Sequence, residues 1–196
     1  MFVALDLPDR VRHRLEKWQG AALGDPALRA MRPEALHITL CFLGSLPERA
    51  VEQLTGALRA IPARPVSLSF EPEAAPLPKG RPRLYALGAR SPDAVAVQDD
   101  LARRLADSGL YEPEERSFWP HVTVARVRTE RLPPGKGERR GRARPRRVTE
   151  PPRALPKALR EPFGAVRLAL YRSNLKPQGA EYERLDGVDL PSPGNH

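Results

Sequence analysis

Residues 37–40 read His-Ile-Thr-Leu and residues 121–124 read His-Val-Thr-Val. Each sets a His and a Thr two apart inside an apolar run. In a β-strand that spacing puts the polar pair on one face and Ile38, Leu40, Val122 and Val124 on the other. Two distant strands must then each lay an apolar face on a core while offering His and Thr to a shared cleft. With four His and five Thr in the chain, two of the four histidines gain such a partner in about 4 in 1000 shufflings, well below the false-positive rate of a single short motif. The repeat is a paired feature.

At 196 residues the chain suits one domain or two closely packed lobes, with length enough for a real core. Apolar residues make up 40% and charged residues 29%, the balance of a globular protein. The opening MFVALDLPDR has no basic leader, and Asp6 cuts its apolar run short, so neither a signal peptide nor a membrane span is expected. Cys41 is the only cysteine, which excludes a disulfide framework and a cysteine metal site and fits a cytoplasmic setting. Strict alternation would put Cys41 on the face of His37. There it reads either as a nucleophile or as a small buried residue.

Phe2–Asp6 reads as a first strand, and Asp9–Leu23 as a helix burying Val11, Leu15, Trp18 and Ala22. His13 falls within it as a surface or packing residue. The strand Leu36–Leu43 carries the first pair and ends at Gly44. Ser45-Leu-Pro-Glu48 has the pattern of a capping box, opening a helix that reaches about Ile61. Val66–Phe70 and Leu84–Ala89 read as strands on either side of a proline-rich loop, 71–82. Ser91-Pro92 starts a third helix and Gly109 closes it. His121–Val127 carries the second pair, and Ala165–Tyr171 with Tyr182–Leu185 close the fold as strands. The order predicts an α+β protein with mainly antiparallel sheets and outer helices.

The net charge of +9 is concentrated. Residues 135–147 (GKGERRGRARPRR) hold seven bases and one acid, a stretch that cannot pack and is expected as an exposed loop. It attracts a polyanion such as RNA, or it is a solvated insertion; the composition leaves both open.

Two imidazoles across a cleft suit displacement at phosphorus. An imidazole ordinarily titrates near 6.5, so one can take a proton from water while the other gives one to the leaving alkoxide. Threonine hydroxyls can hold the non-bridging oxygens between them. A zinc site built on His37 and His121 would need a third ligand, and no spacing to a carboxylate, His13 or Cys41 supplies one. No metal or cofactor is expected.

These residues resemble the 2H phosphoesterases, and within them the bacterial and archaeal RNA 2′,3′-cyclic phosphodiesterases historically called 2′–5′ RNA ligases. The likeness runs through FVALDLP, HITLCFLG, FWPHVTVAR and LYRSNLKPQGAEYERL, nearly the whole chain. Only the basic loop departs. The resemblance implies a bilobal fold of two mainly antiparallel sheets with outer helices and the active cleft between lobes. One such domain would span residues 1–190, with the basic loop inserted at about 131–161 and 191–196 as a disordered tail.

The reaction implied is metal-independent hydrolysis of a 2′,3′-cyclic phosphate at an RNA end to a 2′-phosphomonoester. His37 would be the proton donor to the 3′ oxygen and His121 the proton acceptor that activates water, although the imidazoles themselves allow the reverse. Thr39 and Thr123 would hold the phosphate. Arg126 would join them, although strict alternation points it away from His121, so a twist or bulge is required. Phe42, Phe118 and Trp119, and less directly Tyr85, are candidates to stack a terminal base. The expected partner is RNA with a 2′,3′-cyclic phosphate end, or a small cyclic nucleotide, met by a monomer. Two other readings stand beside this one. The same histidines could join RNA ends 2′–5′, or the protein could bind RNA through its basic loop without catalysis.

Overall fold

The apolar runs around the two His-x-Thr pairs become neighbouring strands. The computed structural model describes residues 1–131, 143–176 and 179–193. In chain order the elements are β1 (Phe2–Asp6), α1 (Asp9–Ala22), β2 (Leu28–Ala30), β3 (His37–Phe42), α2 (Ala50–Arg59), β4 (Ser67–Leu77), β5 (Leu84–Arg90), α3 (Pro92–Asp107), β6 (His121–Val127), β7 (Thr129–Arg131), β8 (Ala143–Pro145), β9 (Phe163–Gly164), β10 (Arg167–Lys176) and β11 (Gly179–Asp189). Among the described residues nine strands form a sheet in the order β11-β10-β1-β3-β6-β5-β4-β9, with β2 beside β6, and β7 pairs with β8. Every pairing is antiparallel. The α+β class is as the sequence predicts.

The sequence predicts two sheets, and here they are joined at one seam. β3 and β6 share a single recorded pair, Ile38 opposite Val122. To one side lie β11, β10, β1 and β3; to the other lie β6, β5, β4 and β9. Helix α1 buries the predicted face of Val11, Leu15, Trp18 and Ala22, α2 rests on β10 and β11, and α3 on β3 and β4. Full burial of leucines such as Leu5, Leu15, Leu58 and Leu101 stabilises the fold by about 1.5–3 kcal/mol each.

Helix caps follow the sequence in one place and not in another. Ser91 Oγ accepts from the Ala94 N–H at 2.9 Å, with Pro92 in the first turn where its missing N–H costs nothing. The capping box at Ser45 does not form. Helix α2 starts later, at Ala50 behind Arg49, and has no side-chain cap.

The expected loop 71–82 is partly strand. β4 runs on to Leu77 because a bulge between Phe70 and Ala74 absorbs Pro72, which could not donate to a regular ladder. β2 and β9 are too short to show periodicity. Of the basic run, 135–142 lies outside the described residues, whereas Ala143–Pro145 forms β8 against β7. Of the tail, 191–193 has no regular structure and 194–196 lies outside the described residues. Among the described residues no helix is long and apolar enough to cross a membrane.

Candidate active site

Antiparallel register turns two separate motifs into one site. With Ile38 opposite Val122, the flanking residues meet crosswise, His37 facing Thr123 and Thr39 facing His121. Directly opposed residues share a face, with Cβ atoms about 4.5–5.5 Å apart. Ile38 and Val122 point into the core with no exposed surface, and the two His and two Thr lie partly exposed on the other side. The strands beyond carry small residues on the same face: Ala4 beside Thr39, and Ala86 and Gly88 beside Thr123 and His121.

His37 packs among rings. It stacks on Phe2 at 4.9 Å and 23° and lies parallel to Tyr171 at 6.1 Å, while Tyr182 meets it edge-on at 5.3 Å. Such contacts remove water from the imidazole and disfavour its charged form. Burial, and secondarily the like charge of His121, bring its pKa down from 6.5 to about 4. The stack is anchored from below. Tyr171 donates its hydroxyl to Asp6 Oδ1 at 2.7 Å, and Arg167 stands 3.6 Å from the other oxygen. Asp6 is buried, and desolvation raises its pKa against the pull of Tyr171 and Arg167.

His121 is held differently. Its Nδ1 lies 2.8 Å from the Trp119 carbonyl oxygen. A carbonyl only accepts, so Nδ1 carries the hydrogen and Nε2 is left for the cleft. The Trp119 indole stacks on the ring at 4.6 Å and 18°. Gly88 makes this possible, since a Cβ there would stand 3.2 Å from Trp119 Cζ2 and 2.6 Å from a Glu71 carboxylate oxygen.

Both motif strands bulge at the same point. β1 pairs Val3 with Cys41 and then Ala4 with Thr39, skipping Leu40. β5 pairs Tyr85 with Ala125 and then Ala86 with Thr123, skipping Val124. An extra residue reverses the alternation beyond it. Cys41, expected on the His37 face, is therefore turned into the core with 1% of its surface exposed. There burial pushes its thiol up to about 12, and Gln98 and Tyr111 are its hydrogen-bonding neighbours. Arg126 gains the bulge that its expected role requires, and it emerges exposed on the face of His121 and Thr123.

The aromatic candidates separate. Phe42, past the first bulge, is 66% exposed beside the cleft, and Trp119 is 37% exposed. Phe118 instead packs against the core, and Tyr85 is buried on the core face of β5. Sequence reasoning missed Phe2, Tyr171 and Tyr182, because nothing in a local pattern tells which distant rings will enclose a histidine. Gly88 was equally unmarked. Among the described residues no group of three or more His, Cys, Asp or Glu side chains is placed to hold a metal ion.

The sequence model described as the 2′-5′ RNA ligase superfamily matches residues 7–136. A relative from Escherichia coli (strain K12), named RNA 2′,3′-cyclic phosphodiesterase, is 31% identical over 143 residues, covering 69% of this chain and 77% of its own. One of the same name from Archaeoglobus fulgidus is 29% identical over 129 residues, covering 65% and 72%. The solved structure of TT0787 from Thermus thermophilus superposes with a TM-score of 0.73 at 25% identity, covering 96% of both chains.

Proposed function

The chain belongs to the 2′-5′ RNA ligase superfamily and is a cyclic phosphodiesterase of that family; we propose that its cleft opens the P–O3′ bond of a 2′,3′-cyclic phosphate at an RNA end and leaves a 2′-phosphomonoester. The observation that carries this reading is the crosswise placement of His37, Thr123, Thr39 and His121 about Ile38 and Val122. It sets an imidazole on either side of one position, with a hydroxyl beside each. A tetrahedral phosphate fits that position, the hydroxyls donating to its non-bridging oxygens and Arg126 adding charge.

His121 suits the base. Its Nδ1–H is committed to the Trp119 carbonyl, so Nε2 can take the proton of the attacking water as the new P–O bond forms. His37 suits the acid through the substrate. Alone among its rings it is neutral at pH 7, but a bound phosphate anion favours the imidazolium, which then protonates the departing 3′ oxygen. The proton thus arrives with the ligand. Phe42 and Trp119 flank this position and offer faces to the terminal base. Every group comes from one chain, so a monomer suffices. Small cyclic nucleotides and RNA ends present the same phosphate, and a cytoplasmic RNA pool would supply both.

Product analysis tests the reading. A nucleoside 2′,3′-cyclic phosphate should give the 2′-monophosphate, with activity insensitive to EDTA. His37→Ala and His121→Ala should each lose about 10²–10⁴-fold in kcat. A substrate with sulfur in place of the 3′ oxygen needs no acid, so it should rescue His37→Ala and not His121→Ala. The 3′-monophosphate as product, or rescue of His121→Ala alone, would overturn the assignment.

A further inference from the structure

The strand carrying the second His-x-Thr pair does not end at the cleft. Only Arg128 separates β6 from β7. Along one edge three short segments follow in turn: β3 at Val122, β2 at Ala125 to Val127, and β8 at Thr129 to Arg131. Arg128 joins the last two, its N–H donating to Ala27 at 2.7 Å and its carbonyl accepting from the Arg146 N–H at 2.8 Å.

The face is rich in arginine. Arg29 stands opposite Arg126, Arg146 continues the β8 register opposite Arg128, and Arg144 stands opposite Glu130. Beyond the bulge, alternation puts Arg126, Arg128 and Glu130 on the side of His121 and Thr123. Arg128 and Arg146, directly opposed, repel each other, which is tolerated where an anion lies between them. The single acid of this run is already used, Arg144 Nε bonding Glu130 Oε1 at 2.6 Å. Arg81, Arg128 and Arg146 are exposed and have no carboxylate partner among the described residues. Arg81, Glu130, Arg144, Arg146 and Arg147 line a cavity of about 480 Å³.

We propose that this arginine stripe and its cavity bind the phosphate backbone of the nucleotides preceding the cyclic end, making an RNA strand, rather than a mononucleotide, the preferred substrate. The inference rests on the proposed function. At about 3.3 Å per residue, Arg126 to Glu130 spans about 13 Å. That is too long for one phosphate and suited to several in a row. Guanidinium groups also match phosphate oxygens two at a time.

The test compares two substrates in the triple variant Arg81→Ala, Arg128→Ala, Arg146→Ala. Hydrolysis of a nucleoside 2′,3′-cyclic phosphate should stay within about twofold of wild type, which also shows the variant folded. For an oligoribonucleotide ending in the same group, kcat/KM should fall about tenfold or more. Anisotropy with a 2′-phosphate-ended oligonucleotide should show the log–log salt slope shrinking by about 2, at about 0.7 per lost contact. The Arg→Lys triple should keep most of that slope. Equal effects on both substrates, or no change with the oligonucleotide, would overturn the stripe. If wild type hydrolyses neither substrate, the function fails instead, and the anisotropy still reports on the stripe.

Discussion

Ile38 and Val122 face each other across the seam of the sheet, both without exposed surface, and their register sets His37 against Thr123 and Thr39 against His121. The two halves of the cleft are aligned by this contact, so its packing and the chemistry above it are coupled. Ile38→Ala should cost about 2–5 kcal/mol of stability. Its kcat should also fall at temperatures where the variant is fully folded, because misplaced reacting groups lose rate steeply. Denaturant unfolding and steady-state kinetics on the same preparation check both. Wild-type kcat in a folded, destabilised variant would show that the seam aligns nothing.

The bulge that turns Arg126 to the face of His121 and Thr123 has its own support. An extra residue disrupts the local ladder and needs bracing from outside it. Here Val124 O accepts from the buried Gln19 side chain of α1 at 2.6 Å and from the Met31 N–H at 3.1 Å. Gln19→Leu removes the first donor and leaves the Met31 N–H, so it should cost about 0.5–1.5 kcal/mol. If Gln19 positions Arg126, KM for the cyclic phosphate should rise while kcat holds, and Arg126→Ala should add little to that rise in the double variant. Full additivity of the two KM effects would separate Gln19 from Arg126.

His37 makes stability depend on pH. The folded protein keeps its imidazole neutral down to about 4, whereas the unfolded chain takes a proton below 6.5. The advantage is complete above 6.5 and is lost as pH falls toward 4, at up to about 1.4 kcal/mol per unit. Urea midpoints should fall through this window, and His37→Gln should flatten the trend. Inorganic phosphate should restore stability to the wild type at the acid end, since a bound anion favours the imidazolium.

Much of this was legible in the sequence for a simple reason: alternation and helical spacing report which face is buried. The helix face of Val11, Leu15, Trp18 and Ala22, the capped start at Ser91 and the inward His and Thr all follow from local pattern. What alternation cannot report is a residue too many. The paired bulges after Thr39 and Thr123 reverse the expected facing of Cys41 and Arg126 in opposite senses, burying one and exposing the other. The rings around His37 depend on long-range pairing, Phe2 and Tyr171 meeting across β1 and β10. No window of neighbours contains that information.

Cys41 offers a direct check on the first bulge. Turned into the core, with its thiol pushed up to about 12 by burial, it should resist a thiol reagent at neutral pH and react only as the protein unfolds. Cys41→Ala should keep wild-type kcat within about twofold and lose about 1 kcal/mol or less of stability, the effect of a small core deletion. Rapid labelling of the folded protein, with loss of activity, would return the cysteine to the cleft.

Asp25 fastens the far side of the arginine stripe. Buried just before β2, its Oδ2 accepts from the Thr149 N–H at 2.7 Å, the Thr149 hydroxyl at 2.9 Å and the Glu150 N–H at 3.0 Å, while Oδ1 takes the Ala27 N–H at 2.7 Å. These donors, the Glu150 amide foremost, bring its pKa down to about 2. The stabilisation is therefore present above about 3.8 and lost as pH falls toward 2. Thr149 follows Arg146 by three residues, so the carboxylate ties the end of the β8 segment to the strand beside Arg126. Asn cannot replace it, because one side of the amide would turn N–H groups toward N–H donors. Asp25→Asn should lose about 3 kcal/mol and speed hydrogen exchange at the Thr149 and Glu150 amides. Hydrolysis of a mononucleotide should survive in the folded variant while that of an oligonucleotide declines. An equal decline in both would make Asp25 a fastening of the whole fold rather than of the stripe.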